Sequence, residues 1–145
     1  MQDSAIAPQS ASFRARIAVM VYESLLVLAV LFIASLPFLY VVGDARTGGR
    51  HLAFQVYLMT VLFAYFATFW RRSGQTLAMK TWRIRLDGPG GGRITLKLAL
   101  LRYLFAWAGL LLGGAGFWWA LVDRDRQFLH DRLLGTRLVR VPRPA

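Results

Sequence analysis

Residues 17–42 read IAVMVYESLLVLAVLFIASLPFLYVV, an apolar run in which Glu23 is the only charged residue. A bilayer core roughly 30 Å thick is crossed by about 20 apolar residues of α-helix, so this run is long enough to span a membrane. It is also much longer than the roughly 7–15 apolar residues of a signal peptide, and no small-residue cleavage motif follows it. We therefore expect an uncleaved first membrane span.

Two further apolar stretches follow in a chain of only 145 residues. Residues 52–70 contain no charge, and residues 98–122 are interrupted only by Arg102. With 57% hydrophobic residues, the chain is too apolar for a soluble domain of this size, whose interior could not hide three such stretches. The predicted fold class is an all-α membrane protein with two clear spans, a third hydrophobic segment and a small cytoplasmic β-containing cap.

Charge and composition exclude several classes of function. The net charge of +11 would suit a nucleic-acid-binding protein, but the cations lie beside apolar spans, where anionic headgroups attract them. We therefore expect a lipid bilayer, rather than nucleic acid, as the partner. The chain has no cysteine, and His51 and His130 lack a carboxylate cluster at metal-ligand spacing. No nucleophile with an adjacent base appears, and the glycines of residues 88–92 lack the Gly-Lys-Ser/Thr of a phosphate loop. We expect neither an enzyme nor a cofactor or metal site.

The segment between the second and third stretches, residues 71–97, predicts the orientation of the chain. It is rich in cations and has Asp87 as its only acid, so the positive-inside rule makes it cytoplasmic. The N-terminus is then also inside, and the connector 43–51 is outside. The cations of this loop are Arg71, Arg72, Lys80, Arg83, Arg85, Arg93 and Lys97.

Short alternating patterns predict the β-containing cap. Residues 82–86 and 93–96 alternate apolar and polar side chains on either side of a glycine-rich turn, and residues 137–141 form a third β-like piece. The membrane domain is expected to cover residues 13–141, with a flexible N-terminal tail at 1–12 and a tail at 142–145.

The path of the third stretch, residues 98–122, decides the topology. A single crossing would place the arginine-rich C-terminal segment 123–141 outside, against the positive-inside rule and away from the other β-like pieces. The glycines at 113–116 offer a break at which the segment turns back, as backbone buried in protein permits. We favour this re-entrant path, with the single crossing as the alternative. Gly109 and Gly113 also have the spacing of a close helix contact, which would suit a homo-oligomer.

Ionisable residues in or beside the apolar stretches are the candidate site. Arg16 and Glu23 lie two helical turns apart on one face of the first helix. A charge within a span marks a functional site by default, although it also serves to pin helix packing. Arg102 either extends to the headgroups or pairs inward, with Glu23 or with an acid of the C-terminal segment. Together with Asp131, these residues balance two cations against two acids.

Four blocks of the chain carry a resemblance to a known family. The first is FRARIA at 13–18, with an acid seven residues after Arg16. The second is GQTLAMKTWRIRL at 74–86, the third is Leu101-Arg102-Tyr103, and the fourth comprises residues 117–123 and 129–139. These blocks resemble the RDD family of small bacterial membrane proteins, named for one arginine and two aspartates. Ala78 stands where that family usually has glycine.

The resemblance implies a multi-pass inner-membrane protein, with transport proposed for some members and no substrate supplied. Its naming residues correspond to Arg16, to Glu23 in place of the first aspartate, and to Asp131. Its blocks also contain the secondary candidates Lys80, Asp123 and His130.

Two functions stay open from the sequence. One is transport or ion handling through the charge network, with an oligomer supplying the permeation path. The other is a scaffolding protein whose basic face binds anionic lipid or an acidic partner. The alternating charges at Asp125 and Arg126 are expected to form a solvated face.

Overall fold

The computed structural model describes residues 11–124 and 127–142 and is mostly helical. Helices α1 (Phe13–Val42) and α2 (Gly48–Arg72) pack against each other across a short connector. Both are long and apolar enough to cross a membrane. The solvated face predicted at Asp125 and Arg126, and most of both predicted tails, lie outside the described residues.

Helix α1 is a single continuous element. Ser12 begins it as the N-cap, because its hydroxyl accepts a hydrogen bond from the Ala15 amide at 3.4 Å. Pro37 lies inside the helix without ending it, and Gly43 ends it with a positive φ of 78°. Large apolar side chains stay exposed along its length, among them Leu28 and Phe32. This surface suits contact with lipid rather than water.

The third apolar stretch folds back on itself. Helix α4 (Leu96–Leu111) is followed by a reversal at Gly113 and Gly114, whose φ angles of 70° and 78° favour glycine, and then by α5 (Ala115–Val122). The continuous helix expected for a single crossing is therefore absent from residues 98–122.

Glycine contacts close this hairpin. A Cβ atom added to Gly109 would lie 3.2 Å from the Cα of Gly116, so the two backbones are in direct contact. Gly109, considered above for contact with a second copy, thus packs within its own chain.

A two-stranded antiparallel sheet joins distant parts of the sequence. Strand β1 (Ile84–Asp87) pairs with β2 (Arg137–Arg140), and each strand follows a short helix, α3 (Leu77–Thr81) or α6 (Leu129–Leu134). The prediction of a strand at residues 93–96 is wrong. Thr95 instead caps α4, since its hydroxyl accepts a hydrogen bond from the Leu98 amide at 3.2 Å.

Backbone hydrogen bonds gather the polar segments at one end of the helices. The amide of Ala11 donates to Leu138 O at 3.0 Å, and that of Val141 donates to Arg83 O at 2.8 Å. The tail predicted to extend to residue 12 is therefore too long, because Ala11 is bound to the sheet and Ser12 caps α1. We call the described residues of 73–95 and 123–142 the β cap.

Candidate functional site

Arg102 of α4 and Asp131 of α6 form the most buried pair of an arginine and a carboxylate among the described residues. Only 4% of Arg102 and 1% of Asp131 are exposed. Nη1 of Arg102 pairs with Oδ1 of Asp131 and donates to the hydroxyl of Thr136 at 2.9 Å, while that hydroxyl donates to the same carboxylate at 2.9 Å. The closed triangle neutralises both charges and holds α6 against α4.

The local sequence explains how Thr136 reaches this pair. Gly135 ends α6 with a φ of 67°, in the left-handed region that glycine adopts readily. The chain then turns back, and the Thr136 amide donates to Asp131 O at 3.0 Å. The turn thereby holds the Thr136 hydroxyl beside the Asp131 carboxylate.

Aromatic rings surround the ion pair. The guanidinium carbon of Arg102 lies 5.1 Å from the centre of the Trp70 ring, a cation–π geometry that links α4 to α2. His130 stacks on Phe128 with ring centres 5.6 Å apart, and its Nε2 lies 4.0 Å from Oδ2 of Asp131. Burial, reinforced by the nearby Arg102 charge, lowers the pKa of His130 to about 3. His130 is therefore neutral at physiological pH.

Glu23 has a different environment. It is half-buried on α1 and accepts hydrogen bonds from the hydroxyls of Tyr65, at 2.9 Å, and Thr76. Within the part of the chain that the structure describes, no arginine or lysine lies within ion-pair distance of its carboxylate. Glu23 is thus held by two neutral hydroxyls rather than by the cation that the sequence allowed.

The turn after α2 positions Thr76. Gly74, with a φ of 68°, reverses the chain at the end of α2. Thr76 then caps α3, where its hydroxyl also accepts a hydrogen bond from the Met79 amide at 3.3 Å. Helix α3 packs against α1, which brings this fully buried hydroxyl to Glu23.

The remaining candidates lie around these two clusters. Arg16, only 1% exposed, donates from Nε to Ala11 O at 3.0 Å and so fixes the start of α1. The Asp123 carboxylate accepts a hydrogen bond from the backbone N–H of Gln127 at 3.0 Å and pairs with Arg132. Lys80 is exposed, with its ammonium 6.0 Å from the Phe69 ring centre.

Sequence reasoning missed the three hydroxyl groups of the site: Tyr65, Thr76 and Thr136. Tyr65 lies in a charge-free span, where a tyrosine is usually read as an interface anchor. The two threonines lie within the family-like blocks and close to glycines, Gly74 and Gly135. A search for hydroxyls near helix ends in those blocks would have found them.

The model of the RDD family matches residues 10–135, a range that contains the residues of both clusters except Thr136. An uncharacterised protein of Rickettsia prowazekii (strain Madrid E) is 32% identical over 81 residues, which are 55% of this chain and 44% of that relative. The chain therefore spans less than half the length of that relative. No solved structure matches this chain.

Proposed function

Because the chain belongs to the RDD family, we propose that it is a multi-pass protein of the bacterial inner membrane that handles protons or small cations through Glu23. The observation that carries this proposal is the pairing of Glu23 with two hydroxyls. A carboxylate inside a span that lacks a fixed counter-ion retains the capacity to bind a proton or a cation. The ion pair of Arg102 and Asp131 is already neutralised, and its part is to hold α4 and α6 against α2, which carries Tyr65.

The proposed topology has α1 and α2 crossing the bilayer, with the N-terminus and the β cap in the cytoplasm. At 1.5 Å per residue, α4 is about 24 Å long and α5 about 12 Å, so α5 is too short to cross alone. The hairpin of α4 and α5 would then enter from the cytoplasmic face and return to it. Its tip is apolar, since Leu111 and Leu112 are 81% and 74% exposed, which favours insertion into lipid.

The position of Glu23 suggests how ions reach it. Glu23 lies ten residues into α1, about 15 Å along the helix from the end that carries the β cap. Thr76 approaches Glu23 from that end, so the site would open toward the cytoplasm. Two crossing helices and one hairpin enclose little volume, and we propose that a homo-oligomer supplies the rest of the pathway.

Glu23→Gln tests this function because it removes the charge and keeps the size of the side chain. We expect wild-type protein in proteoliposomes to carry a measurable proton or sodium flux and Glu23→Gln to abolish it, with Glu23→Asp retaining part of it. Asp44→Asn is the matched control, since Asp44 is an exposed acid beyond the end of α1. Flux that is absent from the wild type or unchanged in Glu23→Gln would contradict the proposal.

A second candidate function is a membrane-anchored interaction protein without enzymatic activity. It is favoured by the exposed cations of the β cap, which would face anionic lipid headgroups or an acidic partner. Under this alternative, Glu23 and Arg102 serve packing alone. The two functions differ in flux, which only the first requires.

A further inference from the structure

A polar cleft of about 230 Å³ lies between the last turn of α2 and the β cap. It is smaller than the roughly 300 Å³ at which pockets for drug-sized ligands begin, so it suits a small chemical group. Gly91 and Gly92 are among the residues that line it. The cations that line it are Arg71, Arg72, Arg85 and Arg93.

These arginines are only partly neutralised. Arg85 makes two hydrogen bonds to Asp87, from Nε at 2.6 Å and from Nη2 at 3.1 Å. In residues 11–124 and 127–142, no carboxylate lies within ion-pair distance of Arg71, Arg72 or Arg93. The cleft therefore carries an uncompensated positive charge, which attracts an anion.

The backbone builds this arrangement through Gly74. A Cβ atom at Gly74 would lie 2.8 Å from Leu86 O and 2.9 Å from Cγ of Arg85. In its absence β1 approaches the end of α2, and the Leu86 amide donates to Gly74 O at 2.7 Å. The arginines at the end of α2 and those of the β cap are thereby held around one space.

We infer that this cleft binds a phosphate group. A guanidinium group can donate two parallel hydrogen bonds to the oxygens of a phosphate. Several arginines around a small cavity therefore suit a phosphate group as the ligand. The phosphate of a lipid headgroup and that of a soluble compound share this chemistry. The cleft directly follows the apolar part of α2, at the depth where headgroups lie, and this position favours the lipid.

This inference deepens the second candidate function and does not depend on Glu23.

A binding titration tests it. The full-length chain, purified in detergent, is titrated with dihexanoyl phosphatidate and, separately, with inorganic phosphate. We expect saturable binding that falls at least tenfold in Arg72→Gln/Arg93→Gln. The matched control is Lys80→Gln/Arg140→Gln, which removes the same charge from exposed sites of the β cap outside the cleft. It should bind within twofold of the wild type.

Single variants keep the test decisive if the double variant does not fold. Arg93 lies in an exposed loop, so Arg93→Gln should fold and lose affinity, whereas Arg93→Lys should lose less. Tighter binding of phosphatidate than of inorganic phosphate supports a lipid ligand, and equal binding supports a soluble phosphate compound.

Two results would overturn the inference. One is an absence of saturable binding to the wild type. The other is an equal loss in the Lys80→Gln/Arg140→Gln control, which would leave a diffuse basic face and no cleft site. Glu23→Gln should bind like the wild type, so failure of the flux proposal is distinguished from failure of this one.

Discussion

Arg102 and Asp131 form a buried ion pair that joins the hairpin of the third apolar stretch to helix α6. Thr136 bridges the two side chains, and Trp70 covers the guanidinium from α2. Because a buried charge is costly without its partner, the pair ties α2, α4 and α6 into one arrangement. The positions of the hairpin and the β cap are therefore energetically coupled.

Asp131→Asn should destabilise the protein by about 3–5 kcal/mol, because it leaves the Arg102 charge buried and unpaired. Thermal unfolding of the detergent-purified variant measures this loss. Replacing both partners, as in Arg102→Met/Asp131→Leu, should recover much of the stability, since no lone charge is then buried. A double variant that is as unstable as Asp131→Asn would contradict the ion-pair account.

Gly109→Val should destabilise the hairpin by about 1–3 kcal/mol, because the new side chain would meet the backbone of Gly116. The matched control is Gly49→Val. Gly49 lies in a helix, has no positive φ, and has open space where a Cβ would be. The melting temperature should fall for Gly109→Val alone. An unchanged melting temperature in that variant would show that α4 and α5 do not pack through these glycines.

Acidification should destabilise the β cap through His130. Its pKa of about 3 in the folded chain lies below the ordinary value near 6.5, so the unfolded chain binds a proton first. The contribution of His130 to the free energy of unfolding is therefore complete above about pH 6.5. It decreases as the pH falls toward 3, by at most about 1.4 kcal/mol per pH unit.

Melting temperatures measured between about pH 7.5 and 4.5 test this dependence on His130. His130→Gln should flatten the curve, and His51→Gln, at an exposed position, should leave it unchanged. A slope that persists in His130→Gln would assign the pH dependence to other groups.

Local patterns predicted the parts of the fold that depend on short segments. The two long apolar runs became helices long enough to cross a membrane, and the glycines at 113–116 marked the reversal between α4 and α5. Arg102 also pairs with an acid of the C-terminal segment, one of the two partners considered from sequence. The helices and the reversal depend on residue type and spacing within one stretch, whereas the sequence left the partner of Arg102 open because that contact joins α4 to α6.

Long-range contacts explain what the sequence could not predict. Glu23 is bound by Tyr65 and Thr76, which lie 42 and 53 residues away and are brought together only by helix packing. The alternation at 93–96 looked like a strand because Thr95 serves equally well in a strand and as a helix N-cap. Thr95 caps a helix here because α4 is stabilised by packing against α2 and α6, and a single stretch of sequence does not show that packing.

Cysteine accessibility tests the central claim, that the third apolar segment returns to the face from which it entered. The chain contains no cysteine, so Arg46→Cys, Lys80→Cys and Arg140→Cys each supply a single reactive site. We predict that a membrane-impermeant maleimide labels Arg46→Cys in intact spheroplasts and labels Lys80→Cys and Arg140→Cys only after permeabilisation. Labelling of Arg140→Cys from outside intact spheroplasts would contradict the account.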